Sequence, residues 1–385
     1  MAMEVINIFA LALGGLTMIP FIDSLAADPD LPARTTNVRI AVGIDSTGLT
    51  DKAELRGNTP GLRLFDVGGN TISKSSGKKG QVHGFKDIAL VADKDVGGIQ
   101  GEYLSVSAGG NDPICIAYIT VIRPDGIKYL WTGDVGAACD YKGYRWYESQ
   151  LSINKSHDKP KCLWIDDDGL DEDTKDPNGI GFRGFGFHLT DFAPTEDRAA
   201  VYRADRDLVC ESKPRFWMYP EITTDECLPY FSPPLEYKPG TMVDVDRSKV
   251  LVEGSYQNCE NPILWTDKPG YRGPTKDYRS LDRSLKEKRG KPFMDGRLIT
   301  SSYEGHSALN LCNSESSLGP DFVALSEGFY CDMDNKQAYP LCVVGSGDDR
   351  DACFNTTTNT IRSPQGLHNR GQLIPRKEYH TVENW

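Results

Sequence analysis

Histidine is scarce, and none of the six residues (His83, His157, His188, His306, His368 and His380) stands in an HxH or HExxH pair. A histidine-built metal centre needs two or three imidazoles at ligand spacing, and that spacing is missing. No cysteine forms a CxxC or CxxH pair, which removes the usual zinc frameworks. There is no glycine loop followed by Lys-Ser/Thr to cradle a phosphate. Long basic runs are absent and the formal net charge is −12, so nucleic acid is excluded as a partner, because phosphate contacts need clustered Lys and Arg. The nearest approach to a nucleophile elbow is Gly305-His306-Ser307-Ala308-Leu309, where leucine replaces the final glycine of the strained turn, and Ser307 reads instead as a helix-start serine. Helical periodicity is rare throughout.

In contrast, glycine (38) and proline (23) are abundant in the 385 residues, which favours a β-rich chain with many turns. The densest β signal runs from Gly97 to Trp131. Residues 114–122 are almost entirely Ile, Cys, Tyr, Thr and Val, a composition that fits a pleated, buried surface. Pro124-Asp125-Gly126 is a turn, since proline presets φ and glycine accepts a positive φ, so residues 127–131 return as the second strand of a hairpin. Further strands are expected at Asn37 to Ile44, Phe85 to Val91 and Tyr144 to Ile153. Lys74 to Gly80 reads as a polar loop. Between Ile180 and Leu189 the apolar parity changes at Gly184, which suggests a bulge.

Residues 1–27 read as a secretory signal peptide. Val5 to Phe21 is nearly all apolar and Ser24-Leu25-Ala26-Ala27 offers small residues for cleavage, although the first residues hold Glu4 and no Lys or Arg. No later segment is apolar enough to span a bilayer, so no membrane span is expected after cleavage. The ten cysteines (Cys115, Cys139, Cys162, Cys210, Cys227, Cys259, Cys312, Cys331, Cys342 and Cys353) all follow the signal, and in a secreted chain they imply five disulfides. Sequence leaves the connectivity open. Proximity suggests Cys115 with Cys139, Cys210 with Cys227 and Cys342 with Cys353. Asn154 and Asn355 begin N-glycosylation acceptors.

Seven carboxylates crowd the eleven positions from Asp166 to Asp176. Oxygen-rich loops suit calcium, with Asp166, Asp168, Asp171 and Asp173 as the candidate ligands, but the EF-hand register fails because Leu170 and Asp176 stand where a ligand and a glycine are required. No other cofactor is expected. Glycoside hydrolysis asks only for two carboxylates flanking a cleft, and Glu102, Asp125, Asp166 and Asp168 are candidates. His188 with Asp191 is the one histidine–carboxylate neighbourhood of note. Trp131, Tyr144 and Trp146 form a candidate aromatic platform for a glycan, against the plainer reading that they are core. Lys288-Arg289 is a dibasic pair in a polar segment.

Six prolines in residues 211–240 mark a composition shift and a connector. The expected architecture is therefore a signal peptide (1–27), a mainly β, antiparallel β-sandwich domain of jelly-roll-like type (28–210), a Pro/aromatic-rich connector (211–240) and an irregular, disulfide-stapled α+β region (241–385). The stretches Gly319 to Met333 and Tyr339 to Cys342, together with Asp112 to Trp131 and Trp164 to Phe192, resemble a family of predicted secreted, cysteine-containing proteins of filamentous fungi. The resemblance implies a fungal secreted protein and no site residues. The sequence thus points to a secreted glycoprotein that binds a glycan, cell wall or host surface, with an extracellular carboxylate-pair hydrolase as the alternative.

Overall fold

Ile114–Ile122 is a nine-residue strand of mostly β-branched side chains, and every one of them is buried. A strand covered on both faces lies inside a layered structure, and the rest of its unit is arranged around it. The structure is a computed structural model that describes residues 34–43, 55–92, 99–153, 158–167, 179–193, 201–202, 204–237, 296–342, 352–362 and 377–385. The chain divides into two compact units, Met1–Glu287 and Lys288–Trp385. Among the described residues no helix is long and apolar enough to cross a membrane.

In chain order the strands of the first unit are β1 (Thr35–Val42), β2 (Asn58–Thr59), β3 (Gly61–Phe65), β4 (Thr71–Ser75), β5 (Lys78–Gln81), β6 (Phe85–Val91), β7 (Tyr103–Ser107), β8 (Ile114–Ile122), β9 (Lys128–Thr132), β10 (Trp146–Tyr147), β11 (Cys162–Ile165), β12 (Gly184–His188) and β13 (Phe216–Tyr219). One sheet has the order β10, β11, β8, β1, β6, with β9 also paired to β8; the other has the order β13, β12, β7, β3, β4. All their pairings are antiparallel. The β8–β9 hairpin closes through the expected turn, with Gly126 at φ 82° and Ile122 opposite Lys128.

Register then fixes the faces. Ile119 lies opposite both Ile40 and Trp131, so the three share one face of the first sheet. From that face Trp131 stacks on Phe185 of the second sheet, with ring centroids 4.6 Å apart, and lies 6.0 Å from Phe187. The two sheets therefore meet through aromatic side chains as a sandwich. On the other face of the first sheet Ala41, Tyr118 and Leu130 are covered by Ile153 and Leu151. On the other face of the second, Phe65, Tyr103 and Tyr219 are covered by Ile222, Leu228, Tyr230 and Phe231.

Strand β12 reads Gly-Phe-Gly-Phe-His, and this alternation explains Gly184 differently from a bulge. Its register with β7 runs unbroken from Gly184 opposite Ser107 to His188 opposite Tyr103. The phenylalanines face the core and the glycines face the cover. A Cβ on Gly186 would come within 2.4 Å of the Leu228 side chain, and one on Gly184 within 2.0 Å of the Val106 carbonyl oxygen. The glycines let the covering segment lie flat on the sheet. That segment belongs to residues 211–240, read from sequence as a connector. Here it supplies both β13 and the cover, and it lies within the first unit. Lys74 to Gly80, expected as a loop, contributes to β4 and β5. Pairing with β2 orders β5 through its backbone although all four of its residues are exposed, so side-chain pattern carried no signal there.

The disulfides are Cys115–Cys162, Cys139–Cys210, Cys312–Cys331 and Cys342–Cys353, and Cys227 is also disulfide-bonded. Cys259 lies outside the described residues. Pairing by proximity is thus corrected for Cys115 with Cys139 and for Cys210 with Cys227. Antiparallel pairing sets Cys115 opposite Trp164, which brings Cys162 alongside despite a sequence separation of 47.

The second unit falls in the region expected to be an irregular, disulfide-stapled α+β part; it is disulfide-stapled and α+β, and it is built on a five-stranded mixed sheet. The described strands of the unit are β14 (Arg297–Ser301), β15 (Asp321–Ala324), β16 (Phe329–Asp332), β17 (Gln337–Pro340), β18 (Cys353–Asn355), β19 (Thr360–Arg362) and β20 (Thr381–Asn384), of which β18 and β19 pair as a separate two-stranded sheet. The sheet order is β17, β16, β15, β14, β20, with β14 parallel to both β15 and β20. The helix Ala308–Asn313 makes the crossover from β14 to β15, and Cys312–Cys331 ties it to β16. Strands of three to five residues are too short to display a period, which is why the sequence concealed them.

If the sandwich depends on the stacked Trp131, Trp131→Ala should lower unfolding stability by about 3–5 kcal/mol. Urea unfolding followed by far-ultraviolet circular dichroism measures this. A loss below about 1 kcal/mol would show that the two sheets do not rely on that ring.

Candidate functional site

The three aromatics proposed as a glycan platform are core residues. Trp131, Tyr144 and Trp146 are only 0%, 1% and 3% exposed. Tyr144 meets Phe182 and Phe216 edge-on, at 5.4 and 5.8 Å, while Trp146 carries the Lys161 ammonium 5.2 Å above its ring. Each ring buries too much area to be left at the surface where two sheets can close over it.

A different aromatic pair reaches solvent. After Cys139 the chain makes a 3-10 turn, Asp140–Lys142, which ends at Gly143 with φ 78°. The Cys139–Cys210 disulfide joins this turn to the short helix Asp207–Cys210, and Arg206 donates to the Ala138 carbonyl at 3.2 Å. Tyr141, 44% exposed, points its hydroxyl at Glu211 Oε1 (2.8 Å) and Asp207 Oδ1 (3.1 Å). Burial and the two carboxylates push its phenol up, so it stays a neutral donor. Half-buried Trp217 of β13 lies close by, because one ammonium, Lys142 Nζ, sits 5.3 Å from the Tyr141 ring and 4.9 Å from the Trp217 ring. Lys142 is anchored by Glu211 at 2.6 Å. Lys213 stands 5.8 Å over Trp217 and the Arg206 guanidinium 4.9 Å over Tyr141. Two aromatic faces, three cations and two carboxylates are thus held on a disulfide-braced surface. Trp217 was visible in the sequence, but nothing there linked it to Tyr141.

His188 lies in a second polar cluster, and this one is closed. Its Nδ1 meets Asp191 Oδ2 at 2.8 Å and its Nε2 meets Glu102 Oε1 at 2.9 Å. Arg215 donates to Asp191 Oδ1 at 2.8 Å, and Arg123 lies 3.6 Å from Glu102 and 2.5 Å from Asp125. Burial disfavours the imidazolium, but Asp191 and Glu102 outweigh it and raise the His188 pKa. Burial likewise opposes the Glu102 carboxylate, yet His188, Thr190 and Arg123 hold it below its ordinary range. A catalytic histidine needs one nitrogen to exchange a proton with a nucleophile. Here both nitrogens face carboxylates, so the cluster works as a clasp among the start of β7, the end of β12 and the approach to β13.

The remaining sequence candidates fall in separate places. Glu102 and Asp125 are joined through Arg123, and Asp125 too is held below its usual range once Arg123 offsets its burial. Asp166 is fully buried (0% exposed), while Asp168, Asp171, Asp173, Asn154 and Lys288-Arg289 lie outside the described residues. Asp134, unnoticed in the sequence, has the raised carboxyl that a general acid requires, pushed up to about 7 by burial with Glu148 adding to it. At 3% exposed it is sealed beside Lys161, whose Nζ pairs with Glu148 at 3.0 Å. Ser307 is the N-cap of its helix, accepting from Asn310 N and donating to Glu327 Oε1 at 2.7 Å. Asn355 opens the turn between β18 and β19, where its side-chain oxygen accepts from the Thr357 and Thr358 amides. In the second unit Asp321, Asp332 and Asp334 converge as a possible cation cage, but the Lys377 ammonium stands among them at 2.6–3.0 Å.

No protein-family model matches the chain, and no curated protein matches it either. Among solved structures, two variants of a protein named LOX align at 14% and 15% identity with a TM-score of 0.18. Each alignment covers 26% of this chain and 14% of the LOX chain, and a likeness that slight carries no argument.

The clasp makes stability depend on pH in a stated direction. A raised His188 pKa means that its ion pairs contribute fully below pH 6.5 and fade as the pH rises through the raised value. Glu102, with its lowered pKa, contributes above 4.5 and loses its part as the pH falls further. His188→Gln should therefore melt below the wild type, with the gap widest in mildly acidic solution and shrinking toward alkaline pH. Melting curves across that range test this, and a gap that stays constant would show that the imidazolium charge is irrelevant.

Proposed function

We propose that this chain is a secreted, non-catalytic glycoprotein that binds glycan on a cell wall or host surface through the Tyr141–Trp217 face. The observation that carries the reading is an exposed aromatic next to a half-buried one, flanked by cations and carboxylates and braced by Cys139–Cys210. Sugars present apolar C–H faces ringed by hydroxyls. Aromatic faces accept the first, and charged donors and acceptors fix the second. Four disulfides among the described residues support an oxidising compartment, in keeping with residues 1–27 as a cleaved signal. Asn355, on a turn whose Thr356–Thr358 are exposed, supports N-glycosylation there. Of the carboxylates offered for hydrolysis, Glu102 and Asp125 are paired to arginine and Asp166 is sealed from solvent, which weighs against the hydrolase reading at these three.

The test is retention of the mature protein on insoluble cell-wall polysaccharides and on a glycan array. Trp217→Ala and Tyr141→Ala should each weaken binding about tenfold or more, roughly 1.4 kcal/mol, with the circular dichroism spectrum unchanged. Absence of retention on every glycan, or equal retention of both variants, would refute the proposal.

A further inference from the structure

We propose that the chain forms its own covalent amide between Lys377 Nζ and the Asp321 side chain, an intramolecular cross-link in the second unit. The sheet itself assembles the reactants. Leu298 of β14 pairs with Asp321 on one side, and Arg297 pairs with Thr381 on the other. Both neighbours thus begin at the same end of β14, and Lys377, just ahead of β20, reaches the head of β15. Phe322 pairs with Cys331, which sets the adjacent Asp321 and Asp332 side by side at that end.

The arrangement holds every part that amide formation requires. Lys377 Nζ lies 2.9 and 2.7 Å from the two Asp321 oxygens and 2.6 Å from Asp332 Oδ1. Tyr330 and Tyr379 direct their hydroxyls at the same oxygen, Asp321 Oδ2, from 3.0 and 2.6 Å. Tyr330 is itself locked by stacking on Phe354 at 4.0 Å. Asp321 and Asp332 are 6% and 0% exposed. Burial works against the ion pair and toward its neutral amine–acid form, and fixed proximity replaces the entropy a bimolecular condensation would lose.

The step balances without a co-reactant. A proton passes from the ammonium to Asp321 Oδ1, which leaves an amine and an acid. The amine lone pair attacks Cγ and forms the C–N bond, and negative charge gathers on Oδ2, which accepts from Tyr379 while the Tyr330 hydroxyl supports that of Tyr379 at 2.6 Å. Asp332 takes the surplus proton from the nitrogen and returns it to Oδ1. The C–Oδ1 bond breaks with its electron pair, water leaves, and Oδ2 becomes the amide carbonyl. Burial raises Asp321, as does Asp332 beside it. Burial lowers Lys377, but the carboxylates outweigh it and favour the ammonium. The amine is thus a minor form, and bonding follows folding slowly.

The experiment is mass spectrometry of the full mature chain, reduced, denatured and deglycosylated. The expected mass is lower than the sequence mass by one water, and fragmentation of a protease digest should recover one branched peptide joining Asp321 to Lys377. Asp332→Asn should restore the full mass, while Asp334→Asn, altering a side chain 54% exposed at the rim, should keep the loss. A wild-type chain at full mass, or a lost water that maps elsewhere, overturns the proposal.

Discussion

Burial of Ile114–Ile122 on both faces is the constraint from which the first unit follows. One face has to meet a second sheet, and Trp131, brought into line by pairing opposite Ile119, meets Phe185 there. The other face cannot be left wet either, and the Leu151–Ile153 segment closes it. Cys115, within the same strand, is bonded to Cys162 of its neighbour β11, so the interior strand is also a covalent anchor. Covering both faces gives the Leu151–Ile153 and Ile222–Phe231 segments a role as lids over the sheets.

The second sheet uses the same device with a polar addition. Its cover lies on glycines of β12, but His188 ends that strand on the cover side, where an unpaired imidazole would be costly. Glu102, Asp191 and Arg215 remove the cost by enclosing it. A buried network of paired charges stiffens the structure around it, whereas catalysis requires a group left poised for a substrate. The same contrast separates Asp134 from a general acid, because its carboxyl is raised but nothing can reach it.

The parts of the fold legible in the sequence were those decided locally. The β8–β9 hairpin rests on Pro124-Asp125-Gly126, the helix after Ser307 on its cap, and the inward Phe185 and Phe187 on a two-residue period. Period reveals which residues share a face and is silent on whether that face turns to the core. Trp131, Tyr144 and Trp146 could therefore be read as a surface platform or as core, and they are interior. Cys342–Cys353, only 11 residues apart, pairs as proximity suggested, but the more distant disulfide partners escaped for a related reason. Cys139 and Cys210 are 71 residues apart, and only the folded sheets bring them together. The Tyr141–Trp217 face depends on that bond and was hidden with it. In the second unit the lysine–carboxylate cluster draws on Asp321, Asp332 and Lys377, whose convergence follows from two parallel pairings and one antiparallel pairing that no local pattern announces.

Where the exposed aromatics sit has a physical origin. Strand β13 is the last strand on its side of the second sheet, so Trp217 has a neighbour on one flank only. The covering residues Ile222 to Phe231 close over Phe65, Tyr103 and Tyr219, but Trp217 is only partly buried against that cluster. The ammonium groups of Lys142 and Lys213 lie over its ring, 4.9 and 5.8 Å from the ring centre, and Glu211 anchors the first of them. A ring held in this way is neither core nor freely wet, and in the proposed binding mode sugar C–H groups would take the place of these ammonium groups on the ring. Because Cys139–Cys210 already fixes the Tyr141 turn, little further ordering is required of the protein on binding, and that economy favours recognition at the sheet edge over any site in the closed interior.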